Sequence, residues 1–304
     1  MRIELKFCGY HGPNSIHTRA ARAFGDALAG NPDADVDFHL QESILDLGRG
    51  SGDLIPMTAA GELTAFYISS IRFSDLIPEF RIFELPFMVT SREKVFAALD
   101  GDFGQMLKEK ISDSTDFRVL GFWDNGFRHI TNRVRPIRSP EDCKGIRFRT
   151  QMSDLPGEAF QAMGFEPVAL DIKLLMDKIG SGEIEAQDNP LTSIYNFNIH
   201  KHHRYITLSG HIFGVVLMLC NRKAYQSWPE EVRRAVDGAA HEATALQRKL
   251  AAEQDAEMMV KLGAGETEIL QLSEAERAAF IDAVAPVVER YRQSLDRDLF
   301  ERFK

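Results

Sequence analysis

The chain has 304 residues, 44% of them hydrophobic, with 36 lysines and arginines against 45 aspartates and glutamates, a formal net charge of −9. That length buries a large core and allows about two domains, while the acidic balance argues against a nucleic-acid or anionic-membrane surface, since those partners need clustered positive charge. No run approaches the ~18 apolar residues of a membrane span, and three scattered cysteines, Cys8, Cys143 and Cys220, are too few for a disulfide framework or a four-ligand metal site.

The N-terminus MRIELKFCG lacks the apolar core of a signal peptide, so the chain is either cytosolic or a mature form whose signal was removed. Residues 2–9 alternate as a strand. Asn14 and Ser15 then cap a helix whose Ala20, Ala21, Phe24, Ala27 and Leu28 keep helical spacing. Residues 36–40 read as a second strand, 53–60 as a short helix and 62–68 as a third strand. Gly48, Gly50 and Gly52 lack the spacing and the preceding strand of a phosphate-binding loop and read as a plain loop. Thr90-x-x-Glu93 is a capping box for a helix to about Leu99, followed by a helix over 102–111 and a strand over 117–123.

The stretch 121–150, GFWDNGFRHITNRVRPIRSPEDCKGIRFRT, places Arg128 and Arg149 on two short apolar runs, 127–132 and 146–150. Between them Ser139, Pro140 and Asp142 supply an N-cap, an N1 proline and an acidic first turn, and Gly145 stops the short helix. A guanidinium stays charged and its planar fork fits a carboxylate bidentately, so two of them beside a helix N-terminus would clamp an anion. An arginine is also commonly solvated or in a surface ion pair.

Residues 153–163 read as a helix closed by Gly164, 171–179 as another with Ile172, Leu175, Met176 and Ile179 on one face, and 184–187 as a strand ending at Asp188, Asn189 and Pro190. After a helix around Tyr195 come strands at 205–209 and 214–221. Pro229 opens a helical pattern lasting to about Leu262, longer than the usual 8–20 residues, which is expected to brace two lobes. Ser273-x-x-Glu276 caps a last helical region expected to break near Pro286. The alternation implies an α/β fold with mostly parallel sheets, whose ligands sit in a crevice beyond the carboxyl ends of strands.

Competing chemistries are weaker. His200, His202 and His203 lack an acidic or thiol partner at ligand spacing and read as a polar surface loop. Gly-x-Ser-x-Gly is missing, and Ser209-Gly210-His211 is no triad by itself. Glu183 and Glu185 flank Ile184 on one strand face, which reads as solvated rather than as an acid/base pair. Cys8 and Cys220 read as small buried hydrophobes, with a disulfide between them left open.

The segments ELPF, GFRHITN, RPIRSPEDCKGIRFRT and GEIEAQDNP resemble the solute-binding proteins of tripartite ATP-independent periplasmic (TRAP) transporters, the DctP family. The resemblance is strongest over residues 83–205 and weak before 50 and after 255. It implies the α/β type II periplasmic-binding-protein fold: two lobes, 1–125 plus 213–252 and 126–212 plus 253–304, a ligand cleft between them, chain crossings near Asn125 and His211, and a long C-terminal bracing helix. It also implies a non-enzymatic periplasmic protein, expected to be a monomer without cofactor, metal or nucleic acid, that captures a small organic acid and delivers it to TRAP membrane subunits.

In that family the arginine closing the apolar-x-Arg strand makes the main carboxylate salt bridge, and it falls on Arg149. The arginine of Gly-Phe-Arg falls on Arg128, and the polar residue before proline falls on Asn189, whose amide can donate to a carboxylate or hydroxyl oxygen. Thr64 stands where many relatives have Asp, and the loop CGYHGPN is individual to this chain, so Tyr10, His11, Asn14, Tyr67, Trp123, Asp124 and Asn125 become candidates for specificity. Tyr10, Tyr67 and Trp123 read equally well as packed amphipathic aromatics. The alternative is a cytosolic α/β enzyme acting on an anionic metabolite; a sensory domain would require an appended signalling module.

Overall fold

The computed structural model describes residues 2–32, 34–295, 299–300 and 303, and divides into two compact units. Unit 1 comprises Met1–Ser70, Gly101–Asp124 and Val215–Glu253; unit 2 comprises Ile71–Asp100, Asn125–Gly214 and Gln254–Lys304. Residues 71–100, which the family resemblance implies for the first lobe, cluster instead with the second unit. The reason is a set of polar ties that periodicity does not reveal: Arg72 to Asp171 at 2.6 Å, the Ser153 hydroxyl donating to Glu84 at 3.1 Å, the Phe87 N–H donating to the His211 carbonyl at 2.6 Å, and Arg92 to Asp255 at 2.5 Å.

In unit 1 the strand Ile3–Cys8 lies between two parallel neighbours, Val36–Gln41 and Ala65–Ser69, and the latter pairs antiparallel with the last residues of the strand Tyr205–Asn221, Ala65 opposite Cys220. The helix Ile16–Ala29 supplies the first crossover. Its cap Ser15 accepts from the Thr18 N–H at 3.1 Å, and Ala20, Ala21, Phe24 and Leu28 are buried at the i, i+3, i+4 spacing that an amphipathic helix requires. Phe24 packs against Phe7 and Phe38 with centroids 5.9 and 5.7 Å away.

In unit 2 the strand Arg147–Thr150 lies between parallel neighbours Glu166–Ala169 and Ala186–Asn189, with Arg149 opposite Gln187; Ala186–Asn189 pairs antiparallel with the end of Phe117–Asn132, His129 opposite Asn189. Ile130, Phe148, Phe160, Met163, Phe165, Phe280 and Val284 form a core beneath. A second cluster holds Leu175, Ile179, Ile184, Ile194, Ile206, Met258 and Leu262. The helix Glu230–Gly263, 34 residues long, passes from unit 1 into unit 2.

Several elements differ from expectation. The strand pairs read at 117–123 and 127–132, and at 205–209 and 214–221, are single strands, Phe117–Asn132 and Tyr205–Asn221. Gly126, at φ 84°, absorbs the distortion in the first without ending it. These long strands bring antiparallel pairing into what reads as a mostly parallel pattern. Ser91, not Thr90, caps the helix Arg92–Asp100, accepting from the Lys94 N–H at 3.2 Å. The helix Glu274–Arg292 runs unbroken through Pro286, which is exposed, while Phe280, Val284 and Val287 bury the opposite face. The proline therefore removes one hydrogen bond on the wet side, where water replaces it. Among the described residues no helix is long and apolar enough to cross a membrane, and all three cysteines are free buried thiols.

Candidate functional site

Arg149 sits near the carboxyl end of its strand in unit 2 and is 5% exposed. Its Nε donates to the Leu170 carbonyl at 2.8 Å, and Leu170 in turn donates its N–H to the Thr150 carbonyl at 3.1 Å. This grip fixes the guanidinium from one side. Its two terminal nitrogens have no hydrogen-bond partner among the described residues, and neither is sealed away as a buried orphan. Burial, then the neighbouring Arg128 charge, lowers the Arg149 pKa to about 10, with Asp188 and Asp171 opposing, so the group remains cationic at neutral pH.

Arg128 is placed differently. Its Nε donates to Asp188 Oδ2 at 2.5 Å and its Nη2 to Asp188 Oδ1 at 3.0 Å and to the Asp188 carbonyl, with both side chains 3% exposed. Burial alone would raise the Asp188 pKa, but the charge and hydrogen bonds of Arg128, joined by His211, hold it well below the usual carboxylate range. Asp188 thus occupies the fork that the sequence offers to a ligand. Asn189, also buried, donates its Nδ2 to Gln187 Oε1, and Gln187 Nε2 donates to Thr131 Oγ1 at 2.6 Å. The Asn189 Oδ1 is left as an acceptor. Asn125 is buried, with Oδ1 lacking a partner among the described residues, and its side chain lies where a Cβ on Gly214 would be only 2.8 Å away, so position 214 admits no side chain.

His211 Nε2 lies 3.3 Å from Asp188 Oδ2 and its Nδ1 lies 2.7 Å from Ser209 Oγ. The carboxylate only accepts, so Nε2 carries the proton and Nδ1 accepts from the serine hydroxyl. The connectivity is that of a Ser-His-Asp array, but Ser209 is buried and the aspartate charge is neutralised by Arg128. It orients Asp188 rather than exposing a nucleophile.

The candidates in unit 1 form an aromatic knot. The Tyr67 hydroxyl accepts from the backbone N–H groups of Tyr10 at 3.3 Å and His11 at 3.2 Å and lies 3.2 Å from His11 Nδ1. His11 stacks on His17 at 4.7 Å, and the Trp123 ring lies 5.4 Å from Tyr67. Burial, then proximity to His17, pushes His11 well below the ordinary imidazole range, and burial takes His17 to about 3, so both are neutral. Trp123 Nε1 donates to Thr244 Oγ1 at 3.1 Å. The Asp124 N–H donates to Gln247 Oε1 at 2.7 Å, and Gln247 Nε2 returns a bond to the Asp124 carbonyl at 2.6 Å. Asn14 is exposed and makes no such contact.

The histidine run departs from the expected polar surface loop at one position, His203, while His202 is exposed and His200 half-buried. His203 is fully buried and hydrogen-bonds with Thr131 Oγ1 at 2.8 Å, because the chain turns inward there to start the strand Tyr205–Asn221. His200 stacks on Tyr195 at 5.0 Å, in a surface hollow of about 940 Å³ that also holds Lys201, His202, Arg204 and Lys261. No group of three metal-ligating side chains is present among the described residues. The sequence gives no site role to Asp188, His211, Asp171 and Arg72, all of which surround the two arginines; the Asp-Asn-Pro following the Gly-x-Ile-Glu strand is the one local sign of the first.

The family model for DctP, described as bacterial extracellular solute-binding protein, family 7, matches residues 9–294. The chain is 26% identical over 265 residues to the 2,3-diketo-L-gulonate-binding periplasmic protein YiaO of Escherichia coli, covering 87% of this chain and 79% of that one. It is 24% identical over 229 residues to the C4-dicarboxylate-binding periplasmic protein DctP of Rhodobacter capsulatus, covering 75% and 68%. A TRAP periplasmic solute-binding protein from Sulfurospirillum deleyianum, solved with bound succinate, superposes with a TM-score of 0.92 at 26% identity, covering 99% of this chain and 98% of that one. The chain therefore belongs to the DctP family, the solute-binding proteins of TRAP transporters, and not to a family of enzymes.

Proposed function

We propose that this protein is the periplasmic receptor of a TRAP transporter, capturing a small organic acid by its carboxylate and delivering it to the membrane subunits. One observation carries the reading: Arg149 is buried, gripped through Nε, and leaves its Nη pair without an acceptor among the described residues, while its neighbours Arg128 and Arg72 are taken by aspartates. A buried guanidinium with a vacant edge is completed by a bidentate carboxylate, which escapes the screening that limits surface pairs to about 0–1 kcal/mol. Asn189 and Asn125 then offer uncharged polar atoms to hydroxyl or keto oxygens. In this reading Arg128 supports the site through Asp188 rather than forming half of a clamp. The names of relatives, which include a diketo-gulonate and C4-dicarboxylates, support the carboxylate as the shared handle.

A thermal-shift screen against organic acids tests the proposal. A ligand at about 100 times its Kd adds roughly 2.7 kcal/mol, a shift of several degrees. No response from any carboxylic acid, with folded protein confirmed, overturns it.

A further inference from the structure

The charges of Arg149 and the charged side chains that act most strongly on it sum to one. Three arginines contribute: Arg149 itself, Arg128 and Arg72, the last two being the cations that act on Arg149. Two aspartates oppose them, Asp188 against Arg128 in a two-point pair and Asp171 against Arg72 at 2.6 Å. His211 and His129 do not add to the count, since burial lowers both, the latter to about 3. The aspartates are held by more than their ion pairs: Asp188 also meets His211, and Asp171 caps the helix Ile172–Gly180 by accepting from the Lys173 N–H at 3.0 Å. Neither is readily displaced by an incoming anion.

We infer that the site takes an acid with a single carboxylate in preference to a dicarboxylate, and that Asp188 and Asp171 set this preference by occupying Arg128 and Arg72. The inference rests on the proposed function. One carboxylate matches the cation left uncompensated among these five groups. A second carboxylate entering the same buried surroundings meets arginines already neutralised, and pulling Arg128 away from Asp188 to receive it strands a buried aspartate. Ligands of this class therefore carry alcohol, keto or apolar groups away from the acid end.

The test is calorimetry on the full chain with matched pairs in which only the far terminus changes from CH2OH to carboxylate: 4-hydroxybutanoate against succinate, and galactonate against galactarate, at several ionic strengths. Within a binding pair the monoacid is expected to bind at least ten-fold tighter. Asp188→Asn, which leaves Arg128 uncompensated, is expected to move the ratio at least ten-fold toward the diacid. Asp171→Asn, which releases Arg72, is expected to shift it in the same direction and serves if the first variant does not fold. A wild-type preference for the diacid, or ratios unmoved in every folded variant, overturns the inference while leaving the carboxylate reading intact. Failure of all four probes and of a wider acid panel overturns both.

Discussion

Arg128 and Asp188 form a two-point ion pair in which both side chains are almost wholly buried, and the aspartate is braced from behind by His211, itself held by the Ser209 hydroxyl. Two residues 60 positions apart thereby convert what looks like a ligand-binding arginine into a partnered one. The consequence is energetic as well as functional, because a buried charge left without its partner is expensive whichever partner is removed.

Arg128→Ala and Asp188→Ala are each expected to lose about 3–5 kcal/mol of stability, and the double variant less than the sum, since the second substitution removes the charge that the first strands. Denaturant unfolding of the three variants measures this. A single variant within about 0.5 kcal/mol of wild type would mean that the pair is solvated in solution.

Arg149→Lys is expected to abolish measurable binding while leaving unfolding nearly unchanged. A point ammonium cannot reproduce the fork, and among the described residues the one hydrogen bond at stake is that to the Leu170 carbonyl. Calorimetry and circular dichroism on the same sample decide; wild-type affinity in the lysine variant removes Arg149 from its role.

The difference between these two arginines marks where the sequence stops being readable. Both stand on apolar runs, and both were legible as strand residues because Gly145, Pro140 and the apolar alternation around them act locally. Whether a guanidinium is vacant depends on what folds against it, and Asp188 reaches Arg128 only through the antiparallel register that sets Ile130 opposite Asp188. The same limit hid other features. The strand Glu166–Ala169 contains Pro167, which speaks against a strand, yet it lies at the sheet edge, where a missing donor is tolerated. Tyr10, Tyr67 and Trp123 were legible as aromatics in either of two roles, and in unit 1 they pack on one another; only tertiary contacts separate the two roles.

Glu84 is expected to give the unfolding profile a pH dependence. Its carboxyl is buried, accepts from Ser153, and is pushed up to about 7 chiefly by burial, with the Ser74 and Ser153 hydroxyls opposing. The folded protein therefore binds this proton more tightly than the unfolded chain, and the associated stability is present below about pH 4.5 and lost as pH rises toward 7. The full swing is up to about 3 kcal/mol for a shift of this size. Glu84→Gln should lose that component of the slope between pH 5 and 8, whatever its absolute stability. Parallel profiles for the two proteins would show that Glu84 titrates normally.

Tyr67→Phe isolates the aromatic knot of unit 1. The lost hydroxyl is the acceptor for two backbone donors, the N–H groups of Tyr10 and His11, in a place where burial keeps even the imidazoles neutral. Leaving buried donors unsatisfied costs about 1–3 kcal/mol each, while the phenylalanine ring preserves the packing against Trp123. The variant is therefore expected to be destabilised by a few kcal/mol without loss of the core. The protein has two tryptophans, Trp123 and Trp228, and Trp123 lies against the substituted ring. Its emission should move when the Tyr10–His11 turn loosens, and the change should vanish in Tyr67→Phe combined with Trp123→Phe. Unchanged stability in the single variant, with water excluded from the turn by hydrogen exchange, would mean that the two N–H groups find other acceptors and that the hydroxyl is dispensable.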